Sequence, residues 1–217
     1  MLVGQMAGLM AVVWWHGISL AQITNLASDG IVATLIICIS TPVQVCLLVL
    51  MSTRRGSNAA DYLGLTLPDG RDVVSGIISV IIFIALADGI SWLLGRDIVT
   101  PFQLDLYRTA SRVGWLPWLL LTVVVVAPIG EEILFRGFLF RGWHRSRRDL
   151  WLAIVVTALL WALVHLQYDY YYMGQVFVYG LVLGWFRWLA GSTILTIFLH
   201  GLINLEGMLE TFIAIHA

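Results

Sequence analysis

Six polar residues fall in or at the ends of long apolar runs, and their types fit hydrolysis. Glu131 and Glu132 are adjacent in PIGEEILFRGFLFRGW, residues 128–143, and Arg136 follows four residues after the second carboxylate. His165 ends the apolar run WALVHLQ, and His200 and Asn204 share a later run, four residues apart. An ionisable residue inside a membrane span is costly and marks function by default. Glu132 and Arg136, glutamate first at i, i+4, suit an ion pair on a helix. Glu131 sits about 100° round that helix, so the two carboxylates cannot both face Arg136. The spacing predicts Glu132 as the paired charge and Glu131 as the free one.

A carboxylate in a low-dielectric pocket can act as general base on water. A histidine beside it can orient the water or carry the proton. An asparagine amide and a histidine N–H are donors suited to a developing oxyanion. Glu131, His165, His200 and Asn204 together fit peptide-bond hydrolysis by an activated water, with no cofactor. Two other readings stand beside it. Glu131, His165 and His200 could hold Zn2+ with one position open, although no HExxH signature is present. The charged network could also serve helix packing alone.

The elements that must position these groups are membrane helices. The 217 residues are 60% hydrophobic and 12% charged, with mean hydropathy +0.91. That composition predicts an all-α, polytopic transmembrane bundle of about seven to eight helices, forming one domain over residues 1–217. The formal net charge of −1 gives no reason to expect nucleic acid. Every basic residue is Arg, so a lysine Schiff base or a serine–lysine dyad is excluded. Cys38 and Cys46 fall in one predicted helix about 12 Å apart along its axis. They are beyond disulfide reach and read as small buried apolar residues.

Hydropathy places spans at about 5–24 (with His16), 31–51 (with Pro42), 73–95, 118–143, 150–166, 174–190 and from 192 onward. Asp88, beside Gly89 and Ser91, reads as a tight helix contact, and Gly180 and Gly184 as a close-approach pair. The YLGL segment reads as interfacial, residues 96–114 as a polar loop with a short surface helix, and DYYYM as an aromatic turn. By helical rise, Glu131 lies roughly 18 Å, His165 22 Å, His200 14 Å and Asn204 20 Å from one end of the bundle, so all four share a layer. Arg54, Arg55, Arg71, Arg141, Arg145, Arg147, Arg148 and Arg187 fall on one side of the alternating spans, and Arg96, Arg108 and Arg112 on the other. The larger set predicts the cytoplasmic side, from which the site is reached.

Three motifs in order resemble those of the CPBP family, the CAAX proteases and bacteriocin-processing (Abi) proteins that include the Rce1 endopeptidases. They are EExxxR at Glu131, Glu132 and Arg136, FxxxH ending at His165, and HxxxN at His200 and Asn204. Trp161 stands where the family usually has Phe. The resemblance covers about residues 115–205 and includes YGLVLGWFRWLAGSTILTIFLHGLIN; it identifies the catalytic core. It implies an intramembrane endopeptidase in which Glu131 activates water, His165 assists, His200 and Asn204 bind the oxyanion, and Glu132 and Arg136 support them. Family members are often labelled metalloproteases, whereas the Rce1 branch implies metal-free chemistry.

The expected partners are the lipid bilayer and a peptide or protein substrate, possible classes being prenylated CAAX tails, bacteriocin leaders and peptide pheromones. Competing functions are a non-catalytic immunity or scaffold protein and a small transporter relaying protons through Glu131, Asp88 and His165. The compact length and lack of organelle signals point to a multi-pass protein of a prokaryotic inner membrane.

Overall fold

The computed structural model describes residues 28–54, 56, 58–144, 146 and 149–217. The expected first span at 5–24, with His16, lies outside the described residues, as do Arg55, Arg145, Arg147 and Arg148. Among the described residues eight helices follow one another: α1 Gly30–Thr53, α2 Ala59–Leu63, α3 Gly70–Leu93, α4 Pro101–Arg112, α5 Leu116–Trp143, α6 Leu150–Leu163, α7 Tyr170–Ala190 and α8 Thr193–His216. No strand occurs among the described residues. Helices α1, α3, α5 and α8 are long and apolar enough to cross a membrane. Their outer faces are apolar and open: Ile39, Val43, Leu47 and Leu50 make such a stripe along α1. In water that stripe would be a liability, whereas lipid solvates it. The chain is an integral membrane protein.

Local chemistry sets the helix ends. Asp29 caps α1 by accepting from the Ile31 and Val32 N–H groups, and Asn58 caps α2. Thr100 and Gln103 form a reciprocal capping box on α4, with Pro101 in the first turn. Gly64 and Gly191 end α2 and α7 in the left-handed conformation, φ 66° and 64°, where glycine carries no Cβ penalty. Asp169 caps α7 through the Tyr171 and Tyr172 N–H groups. This cap makes the expected aromatic turn the first turn of α7 instead. Those bonds, chiefly from the Tyr172 N–H, and the Arg96 guanidinium 2.6 Å away hold the Asp169 carboxyl below the usual carboxylate range.

The ends of the bundle are tied separately. At one, Thr193 bonds the Leu63 carbonyl (2.6 Å) and, through its N–H, the Gly64 carbonyl (2.7 Å), fixing α8 to α2. At the other, Arg96 pairs with Asp169, and Tyr107 packs on His216. Arg54, Arg71, Arg141 and Arg187 therefore gather at the first end and Arg96, Arg108 and Arg112 at the second, as alternating spans require. Gly180 and Gly184 bring α7 onto α6: a Cβ at Gly180 would stand 2.9 Å from the Ala158 Cβ, and one at Gly184 3.2 Å from Ile154.

Two expectations are corrected here. Cys38 and Cys46 are exposed, not buried; in a membrane protein an apolar residue gains nothing from choosing the core over lipid. At Asp88 the expected helix contact is made by Ser91, which is buried with its hydroxyl 2.9 Å from that of Tyr171 on α7, and not by Gly89, where a Cβ would meet nothing within 4 Å.

Candidate active site

Helix α5 carries the carboxylates, and it is not a regular α-helix. Two π-helical stretches, Thr122–Val126 and Ile133–Leu139, flank the α-helical Ala127–Glu132. Such turns insert a residue and re-aim the side chains around them, often at functional sites. The first has a sequence cause. The Ala127 N–H reaches back five residues to the Thr122 carbonyl. The next N–H in that ladder would belong to residue 128, which is proline and has none. The Val123 carbonyl, five residues before Pro128, is left over, and the Asn204 Nδ2 donates to it at 2.8 Å. The Val124 carbonyl faces Gly201, where a Cβ would stand 2.7 Å away. Helix α8 thus docks on the opened turn of α5 through Gly201 and Asn204.

One turn toward the start of α8, His200 meets the glutamates. Its Nδ1 lies 3.0 Å from Glu132 Oε1, and its Nε2 4.0 Å from Glu131 Oε2. Glu132 Oε1 also accepts from Arg136 Nη1 at 2.7 Å, with both side chains fully buried. The ion pair forms as the i, i+4 spacing predicts. Arg136 is held further by Nη2 on the Gly180 carbonyl (3.1 Å) and by the Trp161 ring, 4.6 Å from its guanidinium carbon. Glu132 Oε2 and Arg136 Nε are buried and have no hydrogen-bond partner among the described residues.

Glu131 has different company. Its Oε2 accepts the indole Nε1–H of Trp161 at 2.6 Å. Trp161 stands edge-on between the two histidines, its ring 5.3 Å from His165 and 5.0 Å from His200. His165 Nδ1 lies 2.7 Å from the Trp161 carbonyl. A carbonyl only accepts, so Nδ1 carries the proton and Nε2 of the neutral ring is free to act as a base. This bond also explains why α6 stops at Leu163, short of the expected 166. The side chain occupies the carbonyl that the His165 backbone N–H would use, and that N–H turns to Ala162 at 3.0 Å instead. The short helix leaves His165 in a turn facing Trp161, stacked on Tyr168 at 5.9 Å.

The structure therefore gathers Glu131, Glu132, Arg136, His165 and His200, with Trp161 among them. Asn204 adjoins on the same face of α8 but is anchored to the Val123 carbonyl. Sequence reasoning passed over two members. Trp161 stands in the sequence as an aromatic where the family usually has Phe, yet a buried indole N–H needs an acceptor. Arg187 fixes the second π stretch by donating its Nε to the Arg136 carbonyl at 2.9 Å; an arginine ending an apolar helix was the available signal.

The proposed zinc set does not converge: the ligand atoms of Glu131, His165 and His200 do not all lie within 4.8 Å of one another. The carboxylates of Asp88, Glu206 and Glu210 do. Glu206 and Glu210 lie about 240° and 280° round α8 from His200, on a different face of the helix. Asp88 thus belongs to a different group from Glu131 and His165.

Residues 113–205 match the family described as type II CAAX prenyl endopeptidase Rce1-like. A curated relative from Escherichia coli, an "Uncharacterized 24.3 kDa protein", is 32% identical over 115 residues. That match covers 50% of this chain and 52% of the relative, so the chain spans about half the length of the curated relative it matches. No solved structure matches. Residues 113–205, which hold every residue of the site, are similar to the Rce1-like family of type II CAAX prenyl endopeptidases.

Proposed function

We propose that the protein is an intramembrane endopeptidase that hydrolyses a peptide bond near the end of a membrane-associated, CAAX-type substrate, with Glu131 as general base. The observation that carries this reading is the division of labour between adjacent carboxylates. Glu132 is consumed by Arg136 and His200, whereas Glu131 is held by a neutral indole N–H and faces His200 Nε2. Glu131 takes a proton from water as the water oxygen bonds to the scissile carbonyl carbon. The free Nε2 of His165 orients that water. The oxyanion is met by His200, whose Nδ1–H is committed to Glu132 and whose Nε2, when protonated, donates. Asn204 has a second amide N–H beyond the one on Val123 for the same task. The C–N bond then breaks as the proton on Glu131 passes to the leaving amine.

Metal-free chemistry is part of the proposal. What supports it is distance: the ligand atoms of Glu131, His165 and His200 do not all lie within 4.8 Å of one another, and Glu131 Oε2 is already bonded to the Trp161 indole. The proton-relay reading lacks a path, because Asp88 is grouped with Glu206 and Glu210. The bilayer is the medium, a prenylated tail is the substrate class the family suggests, and a prokaryotic inner membrane with cytoplasmic access is the proposed setting.

The test is cleavage of a farnesylated CAAX peptide by the detergent-solubilised protein. Wild type should cleave it, and Glu131→Gln should not, with an unchanged melting temperature. Wild-type rates in Glu131→Gln would remove Glu131 as the base.

A further inference from the structure

A cavity of about 410 Å³ opens at the end of the bundle where α5 and α7 finish beside α2. It lies apart from the candidate catalytic carboxylate, since Arg141 is ten residues beyond Glu131, about 15 Å along α5, and it is joined to the site through Arg187, whose Nε holds the Arg136 carbonyl. Arg141 and Arg187 line it, together with His144, Thr66, Trp188 and Asp61.

Arg187 is the informative member. The residue is only 7% exposed. Its guanidinium lies on the peptide of Gly64, where any Cβ would collide with it, and 5.5 Å from the centre of the Phe140 ring. Its Nε is used on the Arg136 carbonyl. Its two terminal nitrogens make no hydrogen bond among the described residues. Neither Arg187 nor Arg141 has a carboxylate within 4.0 Å among those residues; Asp61, on the rim, is exposed and unpaired with either. A buried cation without a counter-ion is costly. Arginines in a last helical turn often serve their own helix's terminal carbonyls. Here the bond goes to another helix, and that helix sends Arg141 to the same cavity.

The shape and charge suit a tetrahedral anion. A guanidinium presents paired N–H groups to phosphate oxygens. The cavity lies at the level of the helix ends, where phospholipid headgroups sit, and basic pockets between membrane helices take such headgroups. We propose that the Arg141–Arg187 cavity binds a phosphate-bearing anion, with the headgroup of an anionic phospholipid as the source its position favours. The proposal is independent of the proteolytic reading.

The test uses the whole protein in bilayer nanodiscs of phosphatidylcholine alone or of phosphatidylcholine and phosphatidylglycerol at roughly three to one, with bound lipid counted by native mass spectrometry. Wild type should retain phosphatidylglycerol and melt at a higher temperature in the mixed bilayer. Arg141→Gln, at an exposed position that does not threaten folding, should weaken retention about five-fold, the loss of one interfacial cation. Arg71→Gln, exposed at the same end but outside the cavity, should leave retention unchanged. Inorganic phosphate added to the phosphatidylcholine discs separates the sources. Stabilisation by phosphate alone, lost in Arg141→Gln, makes the ligand a free anion; stabilisation by phosphatidylglycerol alone makes it a headgroup. No response to either, or equal losses in Arg141→Gln and Arg71→Gln, overturns the proposal.

Discussion

The indole N–H of Trp161 donates to Glu131 Oε2 at 2.6 Å, so an aromatic residue holds the carboxylate that the sequence leaves unpaired. A phenylalanine at this position could pack between the two histidines but could not make the bond. Trp161→Phe should therefore leave a folded protein with a misplaced Glu131. A hydrogen bond to a charged group is worth about 1.5–3 kcal/mol, so kcat should fall roughly ten- to hundred-fold with KM little changed. A KM effect alone would make Trp161 a binding residue, and wild-type kinetics would make the bond irrelevant to turnover.

The neighbouring carboxylate should respond differently. Glu132 Oε1 joins Arg136 and His200 in a fully buried cluster. Arg136→Ala removes one side of that cluster and leaves a charge buried without its partner, at a cost of about 3–5 kcal/mol. The expected result is a lower yield of folded protein and a lower melting temperature. Glu131→Gln should show neither. If Arg136→Ala melts with wild type and loses only activity, the ion pair is not structural.

Much of this was legible because helical geometry is rigid. The 1.5 Å rise put Glu131, His165 and His200 in one layer, and the i, i+4 rule paired Glu132 with Arg136. The rest depended on competition between partners. Where α6 stops turns on a His165 side chain outbidding its own backbone N–H for the Trp161 carbonyl. The π stretch of α5 needs Pro128 together with Asn204 from a helix some 76 residues later in the chain. The exposure of Cys38 and Cys46 was not legible at all, since lipid and core are equally apolar.

The docking of α8 on that π stretch can be probed at Gly201. A Cβ there would stand 2.7 Å from the Val124 carbonyl, which is backbone and cannot swing aside. Gly201→Ala should push α8 away and destabilise by about 1–3 kcal/mol, in the range of overpacked cores. Activity should fall with it, because His200 is the preceding residue. Gly174→Ala is the control, since a Cβ there meets nothing within 4 Å. Equal melting temperatures for the two variants would contradict the close approach.

Orientation is testable at Ser146, exposed in the loop between α5 and α6 and bonded to Asp149. In a background with Cys38 and Cys46 replaced by alanine, Ser146→Cys should react with a membrane-impermeant maleimide only from the cytoplasm, following the arginine bias. Reaction in intact cells from outside would invert the chain and move the Arg141–Arg187 cavity to the other leaflet.

Asn204 decides between metal-free and zinc chemistry, and its geometry makes the test sharper. The amide has two N–H groups, and one is committed to the Val123 carbonyl. Asn204→Ala orphans that carbonyl, which should cost about 1–3 kcal/mol of stability whatever the mechanism. If the second N–H also meets the oxyanion, turnover should fall a further 10²–10³-fold, about the value of one such donor. The two effects separate when kcat is measured at a temperature where the variant is fully folded. A metal-free enzyme should lose activity in folded Asn204→Ala and keep it in a strong chelator. A zinc enzyme should fail in the chelator, recover on adding zinc, and tolerate Asn204→Ala once folded. That second pattern would overturn the metal-free reading and require Glu131, His165 and His200 to draw together within about 2.0–2.2 Å of one ion.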